Sequence, residues 1–314
     1  MTFGVRKGEL FGFVGSNGAG KTTTMRIVAG VAAADSGEVR WHAEPLNSSV
    51  RASIGYMPEE RGLYPKMTVA DHLVYLARLH GLPGKDAFAA MERWTERLDV
   101  ARHRGHRVES LSLGNQQRVQ LAGSLVHEPR LLLLDEPFSG LDPLAVETMS
   151  AVLREKAAQG VPVLFSSHQL ELVERLCDRV GIVRGGTMVA CGTVEELRAG
   201  TQDRLYIEVA GAPAKWWQSI DGIGTARPDG LGTVFELSSA GAERALVSAA
   251  AAAGTIRALH HQTDGLADIF RSVTGPPERG TAEGSAPPQK TGSPAGRRAE
   301  RRLRRPAGRG RSDT

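Results

Sequence analysis

Cysteine is almost absent: Cys177 and Cys191 are the two among 314 residues. Two thiols make neither a disulfide framework nor a metal cluster, and a reduced, intracellular setting is the simplest reading. Long apolar runs are missing too. The longest stretches, Leu131–Leu134 and Val247–Ala253, fall far short of the ~20 residues a spanning helix needs. The start, Met-Thr-Phe-Gly-Val-Arg-Lys-Gly, has charges where a secretory leader needs an apolar run. Any membrane role is therefore expected to come through a partner. There is no internal repeat and no heptad insert. Excess positive charge is confined to one end. The chain's formal net charge is +4, but Pro276–Thr314 holds ten Lys or Arg and four Asp or Glu, a balance of +6. The preceding residues therefore carry −2, which argues against a basic, nucleic-acid-binding core.

What is present supports a folded core, with 41% hydrophobic and 24% charged residues. The length suits one large domain and a smaller one. Over 1–200, strands and helices alternate. Glu9–Val14 reads as an apolar strand, then comes a Gly-rich turn and a helix at Thr22–Ala29. Leu131–Leu134 and Val163–Ser166 read as buried strands. After Leu170, apolar residues at Leu172, Val173, Leu176 and Val180 have helical spacing. The alternation predicts an α/β fold with a parallel sheet. Val69–Leu79 and Ala87–Leu98 form a helical block, and Gly185-Gly186 marks a hairpin between Val180–Val183 and Met188–Ala190. A small α+β domain is expected over 201–275. Its strands are Leu205–Val209, Thr233–Leu237 and Ile256–His260. Its helices are Ala242–Ala253 and Gly265–Val273, the latter with Asp264 as N-cap. The residues 276–314 have no apolar periodicity and read as a disordered basic tail.

Gly15-Ser16-Asn17-Gly18-Ala19-Gly20-Lys21-Thr22 is a complete G-x-x-x-x-G-K-[ST] loop between a strand and a helix. Its glycines let the backbone wrap phosphates, and its N–H groups with the helix N-terminus favour negative charge. Lys21 would reach the β- and γ-phosphates of ATP, the Thr22 hydroxyl would ligate Mg²⁺, and Thr23 follows in the same turn. Leu131–Leu134 then delivers Asp135 to the magnesium shell and Glu136 as general base for the attacking water. Two acids ending a core strand are ordinarily structural; the phosphate loop reverses that reading.

The order of further motifs resembles the ABC-type ATPases, a family with a P-loop NTPase core. Leu111-Ser112-Leu113-Gly114-Asn115-Gln116-Gln117-Arg118 is similar to their signature motif. There it opens a helix and clamps the γ-phosphate held by a second subunit, with Ser112 and Gly114 as the contacts. Ser139-Gly140-Leu141-Asp142 is similar to the D-loop, and His168 stands where the switch histidine contacts the γ-phosphate. The resemblance implies an ABC ATPase domain over 1–200 with a helical subdomain at about 65–125.

Three departures matter. Tyr56-Met57-Pro58 is followed by Glu59 and Glu60 where the family usually has glutamine; a carboxylate at Glu59 still suits Mg²⁺ or its water. Leu113 and Asn115 replace the commonest signature residues. Both changes, with the stretch Pro58–Pro65, resemble the subgroup paired with drug, sodium or antibiotic exporters, where a small C-terminal domain also occurs. Third, only fourteen residues precede Gly15. Phe3 is too near to be the family's adenine-stacking aromatic, and the first strand is missing. Either the start lies upstream, the favoured expectation, or nucleotide binds without that stack.

The resemblance implies two copies sandwiching two ATP molecules, a multi-span permease as partner, and a location peripheral on the cytoplasmic face of the membrane. A soluble ABC ATPase acting on ribosomes or DNA is the alternative. Such proteins usually join two cassettes in one chain, whereas this chain has one. His103 and His106 read as a solvated loop among Arg102, Arg104 and Arg107, and Trp216-Trp217 as ordinary packing. The arginines of the tail suit either solvent or anionic lipid.

Overall fold

Apolar residues in short unbroken runs become strands buried on both faces. The computed structural model describes residues 1–60, 62–199, 204–237, 240–262 and 265–275. The elements run β1 (Leu10–Gly15), α1 (Lys21–Ala29), β2 (Arg40–Trp41), β3 (Glu44–Pro45), α2 (Ser48–Arg51), β4 (Ile54–Met57), α3 (Val69–Leu79), α4 (Gly84–Arg97), α5 (Leu113–Leu125), β5 (Leu131–Leu134) and α6 (Pro143–Ala158). They continue with β6 (Val163–Ser167), α7 (Leu170–Leu176), β7 (Arg179–Arg184), β8 (Thr187–Gly192), α8 (Val194–Arg198), β9 (Arg204–Ala210), β10 (Ile223–Asp229), β11 (Gly232–Leu237), α9 (Ala240–Ala253), β12 (Thr255–Gln262) and α10 (Leu266–Thr274).

The larger sheet has the order β4-β5-β6-β1-β7-β8. It is parallel from β4 to β7, and β8 returns antiparallel across the Gly185-Gly186 turn. Both glycines have positive φ, as a two-residue hairpin turn requires. Side chains alternate between two cores. Leu10, Val14, Leu132, Leu134, Val163 and Phe165 enter one cluster, while Phe11, Phe13, Leu131, Leu133 and Leu164 enter the other. Gly12 belongs to the first face. A Cβ there would lie 2.5 Å from Val173 Cγ1 and 2.7 Å from Cys177 Sγ, so α7 lies directly on the β1 backbone.

Of the two readings open to Val180, helical spacing with Leu176 and the hairpin arm Val180–Val183, the structure takes the second. The helix stops at Leu176, Cys177 is extended, and Val180 belongs to β7. Pairing with β1 ends the helix: the Asp178 N–H donates to the Leu10 carbonyl at 2.9 Å, and its carboxylate accepts from the Leu10 N–H at 2.8 Å.

The smaller sheet, order β10-β11-β9-β12, is antiparallel throughout. Leu205, Ile207, Phe235, Leu246 and Ala250 form its core. Trp216 and Trp217 pack on Phe235, with ring centroids 5.8 and 5.2 Å away. α10 does not join this core. Leu266 and Ile269 are buried in the cluster of the larger sheet, with Leu10, Leu172 and Leu176, and α10 contacts α7 and α8. Gly265 stands at its N-cap. Asp264, Arg61 and the 276–314 tail with its expected lipid contact lie outside the described residues. Among the described residues, no helix is long and apolar enough to cross a membrane.

Candidate active site

Three adjacent parallel strands, β5, β6 and β1, end at one edge and bring the motif residues there. Leu134 pairs with Phe165 and Val14 with Ser167. Asp135 follows β5 and meets Ser166, Gly15 ends β1, and His168 is the first residue after β6.

After Gly15 the chain turns through Gly18 and Gly20, with φ of +77° and +102°, into α1. These left-handed conformations suit glycine. Ser16, Asn17 and Gly18 are exposed and Ala19 is buried. No side chain caps α1, so its first-turn N–H groups are left for an anion. Lys21 is buried, and its Nζ donates to the carbonyls of Gly15 at 2.8 Å and Ser16 at 3.3 Å. The ammonium is thus folded into its own loop. Thr22 is half-buried and Thr23 exposed.

Asp135 is fully buried. Its Oδ1 accepts from Ser166 Oγ at 2.6 Å, while Oδ2 is buried with no hydrogen-bond partner. The same Ser166 Oγ accepts from the Glu136 N–H at 2.8 Å. Glu136 has φ +49°, a conformation seldom adopted outside glycine and typical of strained functional positions. Its Oε2 lies 2.8 Å from His168 Nδ1. The His168 side chain is 59% exposed and that of Glu136 12%. The pair therefore forms a wet rim over a dry floor.

Glu59 is exposed on the loop after β4, beyond the pairing of Met57 with Leu134. Ser112 caps α5 by accepting from the Asn115 N–H, and Asp142 caps α6 by accepting from the Ala145 N–H. These two helix starts adjoin, since a Cβ on Gly114 would lie 3.5 Å from Leu141 Cδ2. Ser112 and Asp142 are exposed, with Leu113 and Leu144 open to solvent at 43% and 70%. Phe3 stacks on Phe11 and Phe13, 5.6 and 5.2 Å between centroids, and so covers the sheet.

Sequence reasoning assigned no role to Ser166, Gln117 or Gln120. Gln117 Nε2 donates to the Glu136 carbonyl at 3.2 Å, and Gln120 Nε2 to the Pro58 carbonyl at 2.6 Å. Two glutamines three apart, in a helix whose buried residues are mostly apolar, were the available signal. Beside Pro58 opens a cavity of about 370 Å³, with Tyr56, Leu63, His72 and His127 on its walls. Burial lowers the His72 pKa to about 4. It does the same to His127, aided by the positive charge that His80 can carry, with ring centroids 3.6 Å apart.

Comparison with known proteins agrees with this geometry. The family model described as ABC transporter matches residues 1–139. An uncharacterized ABC transporter ATP-binding protein of Bacillus subtilis, YhaQ, is 37% identical over 267 residues, spanning 85% of this chain and 90% of the relative. The linearmycin resistance ATP-binding protein LnrL of the same organism is 29% identical over 287 residues, spanning 88% and 92%. A solved ATP binding subunit of an ABC transporter superposes with a TM-score of 0.58 at 31% identity, covering 63% of this chain and 83% of that one. With a complete phosphate loop, a buried, half-orphaned aspartate and this similarity to those relatives, the chain belongs to the ABC transporter family of ATP-binding, ATP-hydrolysing proteins.

Proposed function

We propose that two copies of this chain close around ATP and drive a separate multi-span permease, as an exporter, from the cytoplasmic face of the membrane. The observation that carries the reading is the Asp135–Ser166–Glu136–His168 cluster at the mouth of the phosphate loop.

Within it, Gly15–Thr23 would cradle the phosphates through backbone N–H groups, and Lys21 would exchange two loop carbonyls for phosphate oxygens, stronger acceptors for an ammonium. The orphaned Asp135 Oδ2 is the fit test for a divalent ion: a buried carboxylate oxygen without a donor suits an oxygen-seeking cation. Thr22, Asp135 and Glu59 would hold Mg²⁺, directly or through water, and the ion supplies charge neutralisation on the phosphates when bound. Glu136 would take the proton of the attacking water. His168, hydrogen-bonded to Glu136, would hold that carboxylate in place and meet the γ-phosphate.

The second copy enters through its Ser112 and Gly114, with Asp142 at the adjoining helix start. Exposed Leu113 and Leu144 flank these polar groups, an arrangement suited to burial against another protein surface. The signature residues would reach the γ-phosphate only in the closed pair, so hydrolysis removes the contact and the pair opens. The permease would meet the Glu59–Pro65 stretch. There Tyr64 is 49% exposed and stands edge-on to exposed Tyr75, 5.6 Å between centroids. Export is supported by the Pro58–Pro65 stretch and by a relative whose name records linearmycin resistance.

The test is Glu136→Gln in the full chain. ATP binding should persist while turnover falls by about 10²-fold or more, the usual share of a general base. The tagged variant, with ATP and mild detergent, should bring down a multi-span membrane protein in stoichiometric amount. Parental turnover would remove Glu136 as the base. Recovery with ribosomes, or solely in the soluble fraction, would remove the permease.

A further inference from the structure

α10 is built onto the helix that follows His168. α7 has seven residues, and no side chain caps its start at Gln169. So short a helix has little stability of its own and takes its position from what packs on it. One face lies on β1 at Gly12, as described. On the other, Leu266 and Ile269 of α10 are buried and Phe270 and Val273 pack against the same cluster as Leu172 and Leu176.

Glu174 joins these pieces. Its Oε2 accepts from the Leu266 N–H, the first of α10, at 3.0 Å, and its Oε1 pairs with Arg198 of α8. One carboxylate thus meets the N-terminus of one helix, where negative charge is favoured, and the cation of another. A cavity of about 680 Å³ is lined by His168, Gln169 and Leu170 together with Ala267 of α10, so the histidine's loop and α10 share one space.

We propose that Glu174 is a positioning residue for hydrolysis: by clamping α10 and α8 onto α7, it holds the His168 loop against Glu136 and makes α10 part of the motor. The inference rests on the roles given above to His168 and Glu136. It has a specific kinetic consequence. Lys21 opens α1 and Asp135 follows β5, so neither sits on α7 and loosening α7 leaves ATP binding in place. The His168–Glu136 contact loosens, and the chemical step slows.

The experiment is steady-state ATP hydrolysis by the full chain carrying Glu174→Ala, Glu174→Gln, Ile269→Asp or His168→Ala, each checked for folding by thermal melting. Glu174→Ala should lower kcat about tenfold and leave KM for ATP within about twofold. Glu174→Gln keeps a carbonyl acceptor for the Leu266 N–H and should recover most of the loss. Ile269→Asp unseats α10 without altering any residue of α7 and should reproduce the loss confined to kcat. A folded Glu174→Ala and Ile269→Asp with parental kcat would overturn the proposal. So would losses of kcat and ATP binding that merely track the folded fraction. If His168→Ala is inactive while both other variants are normal, this inference alone fails. If His168→Ala turns over like the parent, the reading of the site itself fails.

Discussion

Replacing Ser166 by alanine removes one oxygen that serves two groups. Ser166 is fully buried, donates to Asp135 Oδ1 at 2.6 Å and accepts from the Glu136 N–H at 2.8 Å. Alanine fits the space but leaves a carboxylate oxygen and an amide without partners. A hydrogen bond to a charged group is worth about 1.5–3 kcal/mol, and an orphaned buried polar group costs about 1–3 kcal/mol. The two overlap, so a loss of about 3 kcal/mol is expected. With a urea slope of about 3 kcal/mol per molar, the midpoint falls by about 1 M. Turnover should fall further than stability alone explains. The Glu136 backbone is held in its left-handed conformation partly by this bond, and a small displacement of a reacting group costs about 10²-fold in rate. Urea titration by tryptophan fluorescence and phosphate release on the same preparation measure both. A double-mutant cycle with Asp135→Asn should show coupling of about 1–3 kcal/mol. A midpoint shift below about 0.2 M, with coupling near zero, would refute the reasoning.

Two other outcomes follow from burial and exposure. Because burial lowers the folded His72 pKa to about 4 from the ordinary 6.5, the unfolded chain takes up the proton first. This contribution is complete above pH 6.5 and is lost as pH falls toward 4, by up to about 3 kcal/mol. His72→Leu should flatten that part of the stability profile, and an unchanged slope between parent and variant would refute the assignment. Leu144 is 70% exposed, so Leu144→Glu should leave stability within about 0.5 kcal/mol of the parent. It should nevertheless abolish the ATP-dependent dimer that Glu136→Gln is expected to form on size exclusion; an intact dimer would place the interface elsewhere.

Much of the fold was legible because its strands are short apolar runs and its turns carry glycine pairs. Leu131–Leu134 was bounded by Arg130 and Asp135, and Gly185-Gly186 needed no context. What escaped had a weak pattern or a competing one. β10 contains Arg227, Pro228 and Asp229 and lies at a sheet edge, where one face and one side are wet and the apolar alternation fades. Val180 kept helical phase with Leu172, Val173 and Leu176 by coincidence. Pairing with β1 decided its conformation, and that partner is more than 160 residues away, as the Leu10–Asp178 bond shows. The seat of α10 was hidden for the same reason. Its stripe of Leu266, Ile269, Phe270 and Val273 announces a buried face without saying which core receives it.

The candidate site divides along the same line. The phosphate loop is contiguous, so eight adjacent residues display its chemistry. Asp135, Glu136 and His168 were legible because each follows an apolar strand, and parallel strands deliver their ends to one edge. Ser166 and the two glutamines of α5 work through groups that spacing does not reveal. Ser166 acts on a carboxylate 31 residues away, and Gln120 acts on a carbonyl 62 residues away. Yet these contacts give the motifs a common frame. One helix carries Ser112 and Gly114 at its exposed start, Gln117 on the Glu136 carbonyl and Gln120 on the Pro58 carbonyl next to Glu59. On the proposed reading, α5 would tie the groups offered to a second copy to Glu136 and to the loop offered to the permease. A contact made at the signature motif would then reach Glu136 through the buried Gln117 behind it.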